Sequence, residues 1–396
     1  RTSGCVGVVM KLAALSHLAS PEAPTGAEKS LTQLAGTLSE RGHEVAVVVP
    51  GSWCLEMTAR EVGIEVVKIA SRGCWLVQAA EQPVWKQALR YLRFRLPDRG
   101  YRRMMVWLDR YWPDVVLVNC LPQVKGAAAA RALGLPVVWH IREILPPSRR
   151  RRWFARRLKR DATRIVAVSR AVAAWLADEG LENMVEVVHN GCAAPAETSD
   201  AEEVRSELGL AATGVVIGFF AQIVGHKGVV DLVRAGSRAM ADRPDLQIVI
   251  AGDGPDGERQ RLHDEIGRTV HPEAFVVLPP RSDVWNLLSA VDAVAVPSLW
   301  PDPLPRTVME AMAVGKPVVA YDTGGVAEMV VEGETGFMVA PGDVEGLADR
   351  MVRLADDAEL RRRLGAAAAE RARTEFSLAR HVDRMERILQ EAAGRS

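Results

Sequence analysis

Residues 292–321 read DAVAVPSLWPDPLPRTVMEAMAVGKPVVAY, and the order of residue types in this stretch decides the fold class. DAVAVP is a short apolar run without helical spacing, and PSLWPDPLP carries too many prolines to be a helix. Pro305 suits the first position of a helix, where its missing N–H costs nothing, and residues 306–314 form a helical body stopped by Gly315 and Pro317. VVAY is a second continuous apolar run. Strand, loop, helix and strand in this order make one element of a parallel sheet, whose strands are covered on both faces and so show no alternation of polar and apolar residues.

The same alternation extends in both directions. Downstream and upstream in the second half, strands are predicted at 214–220, 246–251, 274–278, 292–297, 317–321 and 336–339. The first half has corresponding runs at 6–12, 45–49, 64–69, 115–119, 136–141, 164–169 and 185–189. Between them, residues 193–205 lose all periodicity around Pro195. With 396 residues the chain exceeds what one core holds. The expected fold class is therefore α/β, with two Rossmann-like doubly wound parallel-sheet domains facing a central cleft: 1–194 and 195–376, with a helix at 377–396 crossing back to the first.

Composition limits the function classes. Nearly half of the residues, 48%, are apolar and 25% are charged, the balance of an ordinary globular protein without a large disordered fraction. The five cysteines are widely spaced and never form a CxxC pair, which speaks against a disulfide framework or a zinc site and for a reducing, cytoplasmic setting. No uncharged apolar run reaches the roughly 18 residues of a membrane span, and the first residues lack the pattern of a secretion signal. The net charge of zero conceals a division: residues 1–195 hold 28 Lys+Arg and 17 Asp+Glu, net +11, and the remainder holds 22 and 33, net −11. The first half is thus suited to anionic partners.

Open parallel sheets bind ligands beyond the carboxyl ends of their strands, so the residues there are the candidates. Asp302 precedes the helix at 306–314, Glu310 stands in its second turn, and Arg306 and Thr307 carry first-turn N–H groups open to an anion. Gly324 and Gly325 follow the next strand in a turn that opens a helix. Lys227 ends the turn after the first strand of the second domain, within reach of a phosphate. Gly254, in AGDGP beside Asp253, leaves another strand. In the first domain, Gly26 opens a helix and His140 ends the strand PVVWHI, whereas His43 before a strand has a structural position. Trp85, Trp107, Trp112 and Trp139 read as packing residues. Each of these features alone also fits a turn, a cap or a solvated surface.

Their order and spacing together carry more. The series PTGAEKSLTQLAGTLSERGHEVAVV, RIVAVSRAV, VVHNG, AQIVGHKG, AGDGP, DVWNLLSAVDAVAVPS, DPLPRTVMEAMAVGKPVVA, GGVAEMV and EGETGFMVAPGD closely resembles the retaining glycosyltransferases of family 4, of the GT-B fold. The likeness runs over nearly the whole chain and is densest from 221 to 343. It implies that Glu310 holds the nucleotide ribose and that Asp302, one methylene shorter than the family's glutamate, contacts the donor sugar. The family's diphosphate clamp, an Arg and a Lys five positions later, falls on Gln222 and Lys227. The missing arginine removes a charge that Arg306 or the helix amides beside it would offset. By the same likeness His140 lies beside the donor sugar, Gly26 approaches the diphosphate, Gly324 and Gly325 line the sugar end, and Pro280 and Arg281 lie where the base binds.

The implied reaction moves a sugar from a nucleotide diphosphate sugar to a glycan, glycolipid or small-molecule acceptor with retention and without a metal. Lysine, amides and helix dipoles would stabilise the leaving diphosphate; whether the donor is of UDP or GDP type stays open. Residues Arg149 to Arg160, RRRRWFARRLKR, form a basic segment with Trp153, Phe154 and Leu158 interleaved, suited to an anionic membrane surface on the inner face, to a solvated face or to an anionic acceptor. No recognised nucleic-acid motif accompanies it. A dehydrogenase would need a GxGxxG loop after its first strand, which is absent here. The rival reading is a nucleotide-sugar-binding protein of the same fold with weakened catalysis, because Gln222 and Asp302 both depart from the family pattern.

Overall fold

The computed structural model describes residues 9–17, 24–70, 99–195, 199–211, 213–281 and 283–395. They form two compact units, Arg1–Asn190 with Leu378–Ser396, and Gly191–Ser377. Trp85 and the first part of the strand expected at 6–12 lie outside the described residues.

The N-terminal unit contains a seven-stranded parallel sheet in the order β3-β2-β1-β4-β5-β6-β7. Its strands are β1 (Lys11–Ser16), β2 (Glu44–Val49), β3 (Glu65–Lys68), β4 (Val115–Asn119), β5 (Val137–Ile141), β6 (Arg164–Ala167) and β7 (Val185–Val187). The C-terminal unit has six, in the order β10-β9-β8-β11-β12-β13: β8 (Val216–Phe220), β9 (Gln247–Ala251), β10 (Phe275–Leu278), β11 (Ala293–Val296), β12 (Val318–Tyr321) and β13 (Gly336–Val339). Both are Rossmann-like: β4, β5, β8 and β11 are buried at every position, because helices cover both faces.

One strand is displaced from its expected place. β1 is Lys11–Ser16 and not 6–12. Both segments are apolar, so periodicity does not choose between them. Pairing does: Lys11 stands opposite Glu44 at the start of β2, with its ammonium 2.9 Å from the Glu44 carboxylate and 4.2 Å from the Tyr111 ring centre. The charged residue therefore opens the strand at the sheet's rim instead of ending it. The carboxyl end moves accordingly to Ser16.

The chain leaves the N-terminal unit four residues earlier than the loop around Pro195 suggests. Cys192 bridges to Ser377, and its N–H donates to the Phe376 carbonyl at 3.0 Å, so residues after Asn190 pair with the end of the second unit. The final helix, Leu378–Ala392, belongs to the N-terminal unit. It buries Val382, Met385, Ile388 and Leu389 in that core. Arg41 pairs with its Asp383 at 2.6 Å. His43 accepts from the Met10 N–H at 3.1 Å and meets Glu386 at 2.8 Å, a structural position. Among the tryptophans, Trp139 is fully buried and Trp107 stacks on Tyr111. Trp112 does not pack: at φ 45° beyond the helix Arg99–Tyr111 it turns outward and is 57% exposed.

Candidate functional site

In the C-terminal unit β8 and β11 are neighbours, and their onward connections run to opposite sides of the sheet, to β9 and to β12. The loops that leave their carboxyl ends diverge there, which makes this the unit's topological switch point. After β8 the chain makes a single 3-10 turn, Gly225–Lys227, and Gly228, at φ 72°, leads into the helix Val229–Asp242. A Cβ on Gly228 would lie 1.8 Å from the Pro297 carbonyl oxygen, so the turn that carries Lys227 is pressed against the loop after β11. The N–H groups of Leu299 and Trp300 donate back to the His226 carbonyl, at 2.9 and 3.3 Å. The result is an ion pair between the Lys227 ammonium and the Asp302 carboxylate, both half-buried.

Asp302 is held from the other side by the loop after β12. Gly325 N–H donates to the Asp302 carbonyl at 2.7 Å, and at Gly324, φ 56°, a Cβ would come 2.2 Å from the same oxygen. Behind this loop starts the helix Arg306–Ala313, with Pro305 one position earlier than expected, at its N-cap. Thr307 donates its hydroxyl hydrogen to the Phe220 carbonyl at 2.8 Å, which ties the helix to β8. Arg306 Nε donates to Glu310 Oε1 at 2.6 Å, with the two side chains only 13% and 6% exposed. Lys227, Asp302, Arg306, Thr307, Glu310, Gly324 and Gly325 are thus interlocked around the carboxyl ends of β8, β11 and β12. Gln222, where the family motif has arginine, is exposed in the same loop as Lys227.

Two further candidates are already engaged by other parts of the unit. Gly254 sits where a Cβ would lie 1.9 Å from the Ile223 carbonyl oxygen, beside a bond from Ile223 N–H to the Asp253 carbonyl at 2.8 Å. Packing between the loops after β8 and β9 already requires glycine there. Gly254→Ala is accordingly expected to cost roughly 1–3 kcal/mol of stability from overpacking, with no nucleotide present. Equal denaturation midpoints for this variant and the parent, both without nucleotide, would contradict it. Arg281 is occupied by a two-pronged pair with Asp283, at 2.8 and 2.6 Å, and by Glu207 at 2.9 Å, so its charge is already offset.

In the N-terminal unit, Ser16, Asn119 and His140 stand in register across β1, β4 and β5 at the carboxyl edge. His140 is fully buried, and burial, reinforced by the Arg142 guanidinium, holds its imidazole well below the usual histidine range. Gly26 is exposed at the start of the helix Gly26–Glu40. Thr25 caps that helix: Glu28 N–H donates to its hydroxyl at 3.3 Å, and the Thr25 N–H donates to the Glu28 carboxylate at 2.8 Å.

The residue-by-residue reading missed several polar groups at this edge. His17 follows β1, and burial pushes its pKa down to about 4. Arg142 and Glu143 come directly after β5. Burial pushes the Glu143 carboxyl up to about 7, although the N–H groups of Leu121 and Arg142 donate to it at 3.1 and 3.0 Å. Cys120 lies beside them at φ 76°, a backbone that costs a non-glycine residue about 1–3 kcal/mol and that gathers at functional sites. The misplaced β1 hid His17. The signal for Arg142 and Glu143 was present in two charges immediately after a buried strand.

The basic segment is the helix Arg149–Asp161, capped by Ser148. Trp153, Phe154 and Leu158 are buried within the unit, and Arg151 is buried and paired with Asp178 at 2.7 Å and Glu179 at 2.9 Å. The interleaved apolar residues are core and do not face a membrane; Arg149, Arg152, Arg156, Lys159 and Arg160 are what the helix exposes. Among the described residues no helix is long and apolar enough to cross a membrane.

The profile of Glycosyltransferase Family 4 matches residues 24–193, and that of Glycosyl transferases group 1 matches residues 200–371. The chain belongs to the family 4 glycosyltransferases. It is 32% identical over 203 residues to a GDP-mannose-dependent monoacylated alpha-(1-6)-phosphatidylinositol monomannoside mannosyltransferase of Corynebacterium glutamicum, a match that covers 50% of this chain and 52% of that one. With such relatives the chain thus shares about half of their length. The match to glycogen synthase of Mycobacterium tuberculosis is longer and weaker, 26% identical over 405 residues, covering 93% of this chain and 91% of that one. Among solved structures, Anabaena HepE in complex with UDP and glucose superposes with a TM-score of 0.81 at 25% identity, over 96% of this chain and 99% of that one. The two parallel-sheet units of this family 4 glycosyltransferase are those of the GT-B fold.

Proposed function

We propose that this family 4 glycosyltransferase moves a sugar from a nucleotide diphosphate sugar to a lipid-linked or cell-surface glycan or a small-molecule glycoside, with retention and without a metal. The reading rests on one observation: an ammonium, Lys227, and a carboxylate, Glu310, are both fixed by ion pairs at the switch point between β8 and β11. HepE, whose structure is described with UDP and glucose bound, supports a nucleotide sugar as donor. As the anomeric bond breaks, negative charge grows on the diphosphate. Donors that are already oriented toward that charge stabilise it without reorganising, and such stabilisation usually contributes more to catalysis than any other effect. Lys227 and the first-turn amides at Arg306 and Thr307 take this role, Asp302 orients the ammonium and meets the sugar, and Glu310 holds the ribose hydroxyls. Gly26 approaches the diphosphate and His140 the sugar. The diphosphate oxygen released is the acceptor of the incoming hydroxyl's proton. Any contact with anionic headgroups is made by the exposed arginines and Lys159 of the helix Arg149–Asp161, through charge without insertion.

Nucleotide sugars of UDP and GDP type, offered with glycoside acceptors and followed by proton NMR, test this. The expected product of an α-linked donor is an α-linked glycoside. A β-linked product would overturn retention. Tight donor binding without turnover would favour the reading as a binding protein, to which Gln222 and Asp302 point.

A further inference from the structure

The residue that follows His140 by two places organises three polar side chains at once. Arg142 donates from Nε to Asn119 Oδ1 at 2.8 Å and from Nη1 to Asn190 Oδ1 at 2.8 Å, and its Nη2 lies 3.3 Å from His140 Nδ1. A guanidinium has only donors. Each atom it faces must therefore be an acceptor: both amides turn their oxygens toward it, and His140 Nδ1 must present its lone pair. In a neutral imidazole the proton then sits on Nε2.

We propose that Arg142 is a positioning residue that fixes His140 as the Nε2–H tautomer and turns the amide N–H groups of Asn119 and Asn190 outward, so that this edge of the sheet offers hydrogen-bond donors to the oxygens of a sugar. Two of these donors, His140 Nε2 and Asn119 Nδ2, are buried and have no hydrogen-bond partner among the described residues. Buried donors are almost always bonded, and a ligand oxygen supplies what the protein does not. The low pKa of His140, caused by burial and then by Arg142 and His381, agrees with a neutral ring. His381 is the other titratable ring facing it, with centroids 6.0 Å apart, and its Nδ1 is engaged with the His189 carbonyl at 2.8 Å. The tautomer assignment stands on the hydrogen-bond geometry; its consequence for transfer rests on the function proposed above.

Nitrogen-15 NMR of histidine-labelled protein at neutral pH reads the tautomer directly, with His140 assigned through the signal lost in His140→Gln. The expected pattern is an unprotonated Nδ1 and a protonated Nε2. In Arg142→Met the pattern shifts toward Nδ1–H, and transfer falls ~10- to 100-fold, by analogy with the cost of removing the partner that orients a metal-bound histidine. The loss appears in kcat more than in the KM for the donor. Arg142→Lys, which keeps the charge but not the fork, recovers only part of both and serves where the methionine variant does not fold. A proton on Nδ1 in the parent protein, or an unchanged His140 pattern in the folded variants, overturns the proposal. Should the parent protein transfer no sugar at all, the proposed function fails, and the spectrum still decides the tautomer.

Discussion

Lys227→Ala is expected to lower the transfer rate by ~10²- to 10³-fold, the range found when one preorganised donor to a developing negative charge is removed. Geometry makes the loss severe. The ammonium is clamped between the turn after β8, fixed by the close approach of Gly228 to Pro297, and the carboxylate of Asp302. Without it, the diphosphate loses a cation and gains an uncompensated carboxylate as a neighbour. Replacing Asp302 by Asn in the same variant removes that second penalty and is expected to recover a small part of the rate. Single-turnover transfer separates these variants, and near-normal transfer by Lys227→Ala contradicts the role given to the lysine.

Arg306→Ala is expected to be the most destabilising of the substitutions considered, by ~3–5 kcal/mol, because it leaves the Glu310 carboxylate buried without its partner. The pair is 2.6 Å apart, and Glu310 is 6% exposed. Denaturant titration checks the size. A double variant, Arg306→Ala with Glu310→Gln, removes the stranded charge and is expected to regain much of that stability, since residues in direct contact do not act additively. It does not regain donor binding, because the ribose loses its acceptor. On the proposal that Arg306, and not the helix amides beside it, offsets the charge absent at Gln222, donor affinity is expected to fall in Arg306→Ala. Unchanged affinity contradicts that compensation.

Of the thirteen described strands, twelve start and end within about two residues of where the apolar runs suggest, close to the usual accuracy of boundary assignment. Parallel strands buried on both faces write themselves into the sequence as unbroken Val- and Ile-rich segments. β1 escaped because residues 6–15 are apolar almost throughout, and only the pairing of Lys11 with Glu44 sets its start. That the C-terminal candidates would come together was legible for a related reason: glycine, proline and charged residues cluster after strands, and their spacing is set by turns. What could not be read was which glycines serve a ligand and which serve the fold. Gly254 and Gly228 face backbone carbonyls of neighbouring loops, a contact between segments distant in sequence. The same holds for Arg142, whose partners come from β4 and from Asn190. The helix Arg149–Asp161 shows the converse: its alternation of arginine and aromatic residues suits a membrane surface as well as a solvated face or an anionic acceptor, and only tertiary packing shows that Trp153 and Phe154 turn inward.

The central claim is that a nucleoside diphosphate is gripped at the carboxyl edge of the six-stranded sheet, with Lys227 on its phosphates. Isothermal titration of UDP and of GDP into the parent protein and into Lys227→Ala tests it most directly. One of the two nucleotides is expected to bind the parent protein, with an affinity reduced at least ~10-fold, about 1.4 kcal/mol, in the variant. Binding of neither nucleotide, or equal affinity in both proteins, would contradict it.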